Sequence, residues 1–369
     1  MAKRLQYDRW LLLTTLALLG LGLAMVFSAS AMLSLQQFHT PYHYLIRQSI
    51  YAVLGLTALM LMLRVDYRRL SSPAVVYPAI CVTIVLLAVV FALPAIAHTH
   101  RWIHAGPVTF EPSELAKLSL ILFLAYILDR RGEEIRELRS LHDAWRSLRQ
   151  PLAMLIPIVV LVLAEPDLGT PVALILIAGA MFFTAGLRLR YFGWGCLASL
   201  PVLYWEIFHV HYRKERILAF LHPWANARGA AFQIVQSLIA IGTGGITGLG
   251  YMNSRQKLFF LPDPHTDFIF AVTSEELGLA GATLVLGLFL ALLWRGLRIA
   301  RKAPDTFGRY LAVGLTTMVV AQAMINMSVD LSLMPNKGIP LPLISYGGSS
   351  LFMTLLALGF LLSLSQYAE

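Results

Sequence analysis

The chain has 369 residues, 58% of them hydrophobic and 13% charged, with a mean hydropathy of +0.69. A soluble domain carries roughly a quarter of its residues charged, so this composition belongs to a membrane protein. The formal charge of +9 does not point to nucleic acid, because the basic residues are scattered between apolar runs and build no basic domain.

A hydrocarbon core of about 30 Å takes about 20 residues of helix. In chain order, runs of that kind occupy residues 10–30, 45–63, 74–96, 113–128, 151–164, 171–187, 192–208, 268–294, 311–331 and 349–364. The pattern predicts an all-α, polytopic integral membrane protein with about ten transmembrane helices, forming one domain over residues 1–369. Ser28-Ala29-Ser30-Ala31 has the look of a signal-peptidase site. The apolar run from Trp10 to Phe27 before it is too long for a signal core, and reads as a first span that stays attached. Cys81 and Cys196 lie in apolar segments and read as buried packing residues, without metal-ligand spacing.

Basic residues cluster at Lys3–Arg9, Arg64–Arg69, Arg130–Arg149, Arg188–Arg190 and Arg295–Arg309, on alternate connections. The positive-inside rule then places both termini in the cytoplasm. The stretch from Arg130 to Arg149, with acids among its arginines, reads as a cytoplasmic amphipathic helix. The opposite side receives the 209–266 connection between the seventh and eighth spans, an extracytoplasmic loop far longer than a typical link. It is too rich in aromatic and aliphatic residues to be disordered. Within it, Ala231, Ile234, Val235, Leu238 and Ile241 share one helical face, with Gln233, Gln236 and Ser237 mostly elsewhere.

Polar clusters matter most where they cost free energy. Glu114 and Lys117, in Pro112-Ser113-Glu114-Leu115-Ala116-Lys117, are three apart on one helix face and able to pair. Ionisable groups in a span usually face a cavity or pathway, although an ion pair that only holds a helix in register would look the same. In Glu165-Pro166-Asp167-Leu168-Gly169-Thr170, Asp167 suits either a helix cap or a substrate contact. The long connection holds Arg213, Lys214, Glu215 and Arg216, then Gly242-Thr243-Gly244-Gly245, Gly248 and Gly250, then Ser254-Arg255-Gln256-Lys257. Glycines this dense let backbone approach a ligand and present N–H groups to oxyanions, or simply form a turn along the membrane. Asp267 stands at the mouth of the eighth span with Glu275 and Glu276 deeper; a helix cap would account for it, and so would chemistry. Last, Pro335 to Ser350 is a non-helical stretch before the final span, tolerable at that depth only where protein or a water-filled cavity covers it.

At these clusters the sequence resembles the shape, elongation, division and sporulation (SEDS) family, whose members include RodA and FtsW. The matching pieces are Met25 to Ser30, Arg101-Trp102-Ile103, Pro112 to Lys117, Pro166 to Thr170, Gln233 to Gly250, His265 to Phe270 and Pro340 to Ser350, spread over nearly the whole chain in family order. Asn253 to Lys257 and Pro335 to Gly338 look more like the division type than the elongation type. The chain departs from the family pattern at Asp263, where glutamate is common, and at Glu111 and Glu165, where glutamine is common.

The resemblance implies a ten-helix peptidoglycan glycosyltransferase that polymerises lipid II at the outer face of the bacterial cytoplasmic membrane. It also implies a single-span class B penicillin-binding transpeptidase as partner, alongside other division or elongation proteins. The family's essential loop carboxylate falls on Asp267, and its charged pair on Glu114 and Lys117. In the inferred reaction Asp267 is the general base, and the leaving lipid pyrophosphate needs cations, for which Arg101, Arg216, Arg255 and Lys257 are candidates. Asp167, Gln233, Gln236, His265 and Ser345 complete the candidate substrate-binding set. A divalent cation is compatible with this chemistry, though no ligand set is legible. A flippase for the same lipid and a non-catalytic division scaffold are the alternative readings.

Overall fold

The computed structural model describes residues 6–94, 101–105, 108–138, 141–165, 169–208, 211–227, 229, 231–258, 260–335 and 338–368. Its helices are α1 (Arg9–Phe38), α2 (His43–Met62), α3 (Pro73–Val90), α4 (Pro112–Arg136), α5 (Leu141–Ala164), α6 (Gly169–Thr184), α7 (Leu189–Phe208), α8 (His211–Leu221), α9 (Phe232–Gly244), α10 (Ile269–Lys302), α11 (Thr306–Asp330) and α12 (Gly348–Ser365). A two-stranded antiparallel hairpin, β1 (Ile103–Ala105) and β2 (Val108–Phe110), precedes α4. The protein is thus an all-α, multi-pass membrane protein.

Each of the ten expected spans corresponds to a helix. Seven of these are long and apolar enough to cross a membrane among the described residues: α1, α2, α3, α5, α10, α11 and α12. The polar ends of α4 dilute its apolar centre, and α6 has only 16 residues, about 24 Å. Several helices overrun the expected limits. Helix α1 runs on to Phe38 before His39 turns it off in a left-handed conformation, and α10 continues to Lys302. Helix α4 extends to Arg136 and α5 already begins at Leu141, so the stretch from Arg130 to Arg149 is not the separate amphipathic helix expected but the end of one spanning helix and the start of the next. The two helices of the long connection, α8 and α9, show that its described residues are folded.

Burial separates centre from periphery. Of their apolar windows, 78% of α11 and 89% of α12 lie inside the protein, against 22% of α2. From Ala116 to Leu128 every residue of α4 is buried too, so this helix has no solvent or lipid face there. Helices α3 and α5 pack on α4, α6 and α10 on α11, and α2 on α12, with α1 and α9 laid against α10. Cys81 and Cys196, expected inside, are both exposed and unbridged, on α3 and α7. In a bilayer an outward face is as apolar as an inward one, so residue type alone does not tell them apart.

The eighth expected span is not one continuous helix. Gly278, at φ 66° and ψ −163°, breaks α10 into two rods. That region is open almost only to glycine. The break orphans backbone groups, and the glycine-rich stretch after α9 takes them up. Leu249 and Gly250 donate N–H bonds to the carbonyls of Glu275 and Glu276 at 3.0 Å, while Leu279 and Ala280 donate to the carbonyls of Gly245 and Ile246 at 2.9 and 3.2 Å. A side chain on Gly244 would run into the Ser274 carbonyl, and one on Gly248 into the Glu276 carbonyl. The close approach those two glycines permit is to another helix of the same chain, not to a ligand.

The carboxylates flanking the break hold the next turn. The Glu275 side chain accepts from the backbone N–H of Arg255 and Gln256 and from the Ser254 hydroxyl. Glu276 accepts from the N–H groups of Met252 and Ser254, from the Ser28 hydroxyl of α1 at 2.6 Å, and from Lys257 Nζ at 2.6 Å. Lys257 also donates to Ser28 Oγ at 2.9 Å. At the far end of α10, Arg295 donates to Asp8 at 2.8 Å, and the Asp8 N–H donates to Ser365 Oγ, joining α10 to α1 and α12.

Gly278→Ala adds a side chain at a conformation costing about 1–3 kcal/mol and drives it into Gly248. It is expected to lower the melting temperature of the detergent-purified protein, whereas Gly287→Ala, with open space around it, leaves it unchanged. Equal behaviour of the two variants would show that the break is not maintained.

Candidate functional site

The site forms where the start of α10 meets the connection between α11 and α12. Asp267 is half-buried and precedes Phe268, the N-cap of α10, which makes no side-chain cap. Its backbone is held from two sides. Asn326 of α11 donates to the Asp267 carbonyl at 2.7 Å and to the Ile339 carbonyl at 2.8 Å. One residue earlier, the Thr266 carbonyl accepts from Ser345 Oγ at 2.6 Å, and the His265 carbonyl accepts from the Tyr346 N–H at 2.8 Å. Gly338 lies against the carboxylate: a Cβ there would sit 2.8 Å from Asp267 Oδ2. Any larger residue at 338 would compete with the carboxylate for space.

The connection itself is irregular but covered. Ile339, Leu341, Leu343, Ile344 and Ser345 are buried, which satisfies the condition for non-helical backbone at membrane depth. Gln48 of α2 closes it from the other side, donating to the Ser345 carbonyl at 3.0 Å and accepting from the Gly347 N–H. Ser345 is therefore a bracket: its hydroxyl accepts from the Leu341 N–H while donating to Thr266.

Glu114 and Lys117 form an ion pair of 2.9 Å, both buried. Lys117 Nζ also donates to Gln322 Oε1 at 2.6 Å, and Gln322 Nε2 donates to the Pro340 carbonyl at 2.9 Å. The pair is tied to the same connection that lines Asp267. Gln322, Asn326 and Asp330 are spaced four apart, hence on one face of α11. Asp330 completes the stripe, accepting the Ala271 N–H in the first turn of α10 at 2.9 Å. Its other carboxyl oxygen is buried without a partner among the described residues. Sequence reasoning missed these three residues and Gln48. The signal for the first three was present, as polar residues recurring every four positions along an apolar span.

His265 is buried against Tyr44 and Tyr346, with ring centroids 4.7 and 5.6 Å away. Burial pushes its imidazole down to about 4, with Asp263 opposing weakly. It is a neutral ring supporting the loop, not a cation for phosphate. On α9, Ala231, Ile234 and Val235 are buried as the amphipathic pattern predicts, whereas Leu238 and Ile241 of the same face are half-buried, as are Gln233 and Gln236. Ser237 departs from that pattern: it is buried and donates to the Asp330 carbonyl at 2.8 Å, docking α9 on the end of α11. Arg216, on α8, is half-buried. Arg101 Nε donates to the Glu165 carbonyl at 3.1 Å. Arg255 is exposed, whereas Lys257 is taken up in the buried pair with Glu276, about 13 Å along α10 from Asp267. Asp167 lies outside the described residues. No group of three metal-ligating side chains is found among the described residues.

Fold and site together define a multi-pass helical membrane protein whose buried polar residues converge at the mouth of an interrupted helix. The chain belongs to the FtsW/RodA/SpoVE family of cell cycle proteins, whose family model matches residues 9–369. It is 42% identical over 361 residues to a probable peptidoglycan glycosyltransferase FtsW of Geobacter metallireducens, covering 98% of this chain and 95% of that one. It is 39% identical to the stage V sporulation protein E of Bacillus subtilis, over 100% of this chain and 99% of that one. Among solved structures it resembles the rod shape determining protein RodA of Thermus thermophilus, with a TM-score of 0.71, 29% identity and coverage of 97% and 96%. It also resembles a chain from a peptidoglycan synthase complex that coordinates polymerization and crosslinking, with a TM-score of 0.79, 31% identity and coverage of 98% and 99%.

Two outcomes follow from this geometry. Removing one partner of a buried pair leaves an uncompensated charge and costs about 3–5 kcal/mol. Glu114→Gln and Lys117→Met are each expected to lower the melting temperature strongly, and the double variant to recover part of the loss; strict additivity would mean the pairing contributes nothing. For His265, the folded pKa lies below the usual 6.5, so between about pH 6.5 and 4 the unfolded chain binds a proton the folded one does not. Its contribution to stability therefore declines as pH falls through that window. His265→Phe should show a smaller drop in melting temperature from pH 7 to pH 5 than the parent; an unchanged drop would place a charged imidazole in the fold.

Proposed function

We infer that the chain is a peptidoglycan glycosyltransferase, and propose that it polymerises lipid II with Asp267 as general base. Family membership and the activity named for its Geobacter relatives support the reaction class. The observation that carries the assignment within the chain is the seating of Asp267. Its backbone is pinned by Asn326, the residue before it is held by Ser345, and its carboxylate lies against Gly338 at the mouth of α10. A general base acts efficiently only when its geometry is fixed within reach of the proton it removes.

In the proposed step a growing glycan is held by its undecaprenyl pyrophosphate. The 4-hydroxyl of the GlcNAc on an incoming lipid II attacks the anomeric carbon of that glycan while Asp267 takes the hydroxyl proton. A new C–O bond forms, the bond from the anomeric carbon to the pyrophosphate breaks, and its electron pair leaves with the lipid pyrophosphate. The linkage inverts from α to β. The leaving group departs as an anion and needs cations more than a proton; Arg101, Arg216 and Arg255 are the candidates, since Lys257 is engaged by Glu276. Asp167, Gln233 and Gln236 are candidate contacts to the sugar and peptide portions.

The alternation of basic connections supports termini in the cytoplasm and a 209–266 connection on the outer face of the cytoplasmic membrane. The likeness to a chain from a peptidoglycan synthase complex supports a crosslinking partner of the penicillin-binding transpeptidase class.

Asp267→Asn keeps the side-chain volume and removes the base. It is expected to lower polymerisation of purified lipid II at least a hundredfold, the scale of general-base catalysis, while melting temperature and membrane insertion stay those of the parent. Parent-level polymer from the Asn variant would refute the assignment. Lipid II translocation without polymer from the unsubstituted protein would favour a flippase instead.

A further inference from the structure

A cavity of about 500 Å³ lies away from this site, lined by Arg131 of α4 and by Trp145, Arg149, Leu152 and Ile156 of α5. About 25 Å of helix separates Arg131 from Glu114, so the cavity is at the opposite end of the bundle. The four α5 residues recur at intervals of four, three and four, which places them on one helical stripe. Read toward the membrane interior, that stripe runs aromatic, cationic, apolar, apolar. Trp145 is 69% exposed, Arg149 is exposed, and Ile156 and then Val160 are each 55% exposed. Ala144 and Ser147, on the other face, are buried.

Neither Arg131 nor Arg149 takes part in an ion pair among the described residues. The neighbouring Arg130 instead covers the Tyr126 ring, at 4.2 Å from its centroid. Two arginines thus line the same cleft as an apolar wall and a tryptophan, a residue of the kind that settles at the headgroup level of a bilayer.

From this arrangement we propose that the α4–α5 cleft is a binding site for an anionic phospholipid, its phosphate between Arg131 and Arg149 and an acyl chain along Leu152, Ile156 and Val160. Guanidinium groups bind phosphate oxygens in a bidentate manner, and basic pockets between membrane helices are suited to acidic headgroups. A soluble anion would gain nothing from the apolar wall. On the proposed function the isoprenoid substrate sits at the other end of α4, where the Glu114–Lys117 pair joins the connection beside Asp267. The inference does not depend on the proposed catalytic role of Asp267.

Native mass spectrometry of the full chain, released from detergent with added lipid, tests the site. Phosphatidylglycerol should be retained over phosphatidylethanolamine, and the Arg131→Gln/Arg149→Gln double variant should hold it roughly 25-fold more weakly, two charges at the usual worth of a membrane-proximal cation. Arg298→Gln/Arg301→Gln, with the same loss of charge outside the cleft, should retain it as the parent does. Quenching by phosphatidylglycerol with brominated chains should also be smaller in Trp145→Phe than in the parent. The proposal is overturned if both double variants lose lipid equally, if the two phospholipids are retained alike, or if undecaprenyl phosphate displaces phosphatidylglycerol from the parent.

Discussion

Inside a bilayer no water is available to an exposed peptide group, so a spanning helix that stops and restarts must find partners for its freed N–H and C=O groups within the protein. Much of the architecture around α10 answers that requirement. The break at Gly278 is closed by the backbone of residues 245–250, two N–H groups passing in each direction. The glutamates just before the break then turn their side chains onto residues 252–257. Lys257 balances one of these charges and Ser28 brings in α1. What begins as a backbone problem ends as a polar knot joining three parts of the chain far apart in sequence.

A second dependence runs through α11. A buried ion pair alone is weak evidence for stability, because desolvation offsets its attraction. Here Lys117 has a further acceptor in Gln322, and Gln322 in turn holds Pro340. One turn on, Asn326 holds both Ile339 and Asp267. The charged pair and the candidate base are thereby referred to one rigid rod, and the irregular 338–347 backbone is fixed between them. Such a polar network specifies an arrangement more than it stabilises the fold.

Much of this was legible beforehand. The apolar runs located the ten principal helices, the spacing of Glu114 and Lys117 indicated their pairing, and the one-sided pattern of residues 231–241 indicated a docked helix. The glycine-rich stretch was misread because its partner is more than 20 residues away: spacing shows that backbone can come close, not what it comes close to. Nothing in Gly278, one glycine among several in α10, announced a break. Cys81 and Cys196 were misplaced because lipid removes the contrast between inside and outside that a soluble sequence displays. Lys257 looked like a free cation because Glu276, its partner, was read only as a deep carboxylate. The stripe of Gln322, Asn326 and Asp330 was readable and overlooked; its residues bear no formal charge until the last.

The closure of the α10 break has a further consequence for how such a chain can vary over time. Leu249 and Gly250 meet Glu275 and Glu276 in a fixed register while Gly245 and Ile246 meet Leu279 and Ala280. One residue inserted between 245 and 250 would slide Gly248 away from the Glu276 carbonyl, the contact only a glycine admits, and put a bulkier residue there. Length within residues 245–250 and within residues 275–280 is therefore locked, and evolutionary insertions and deletions in this part of the chain have to fall outside those two segments.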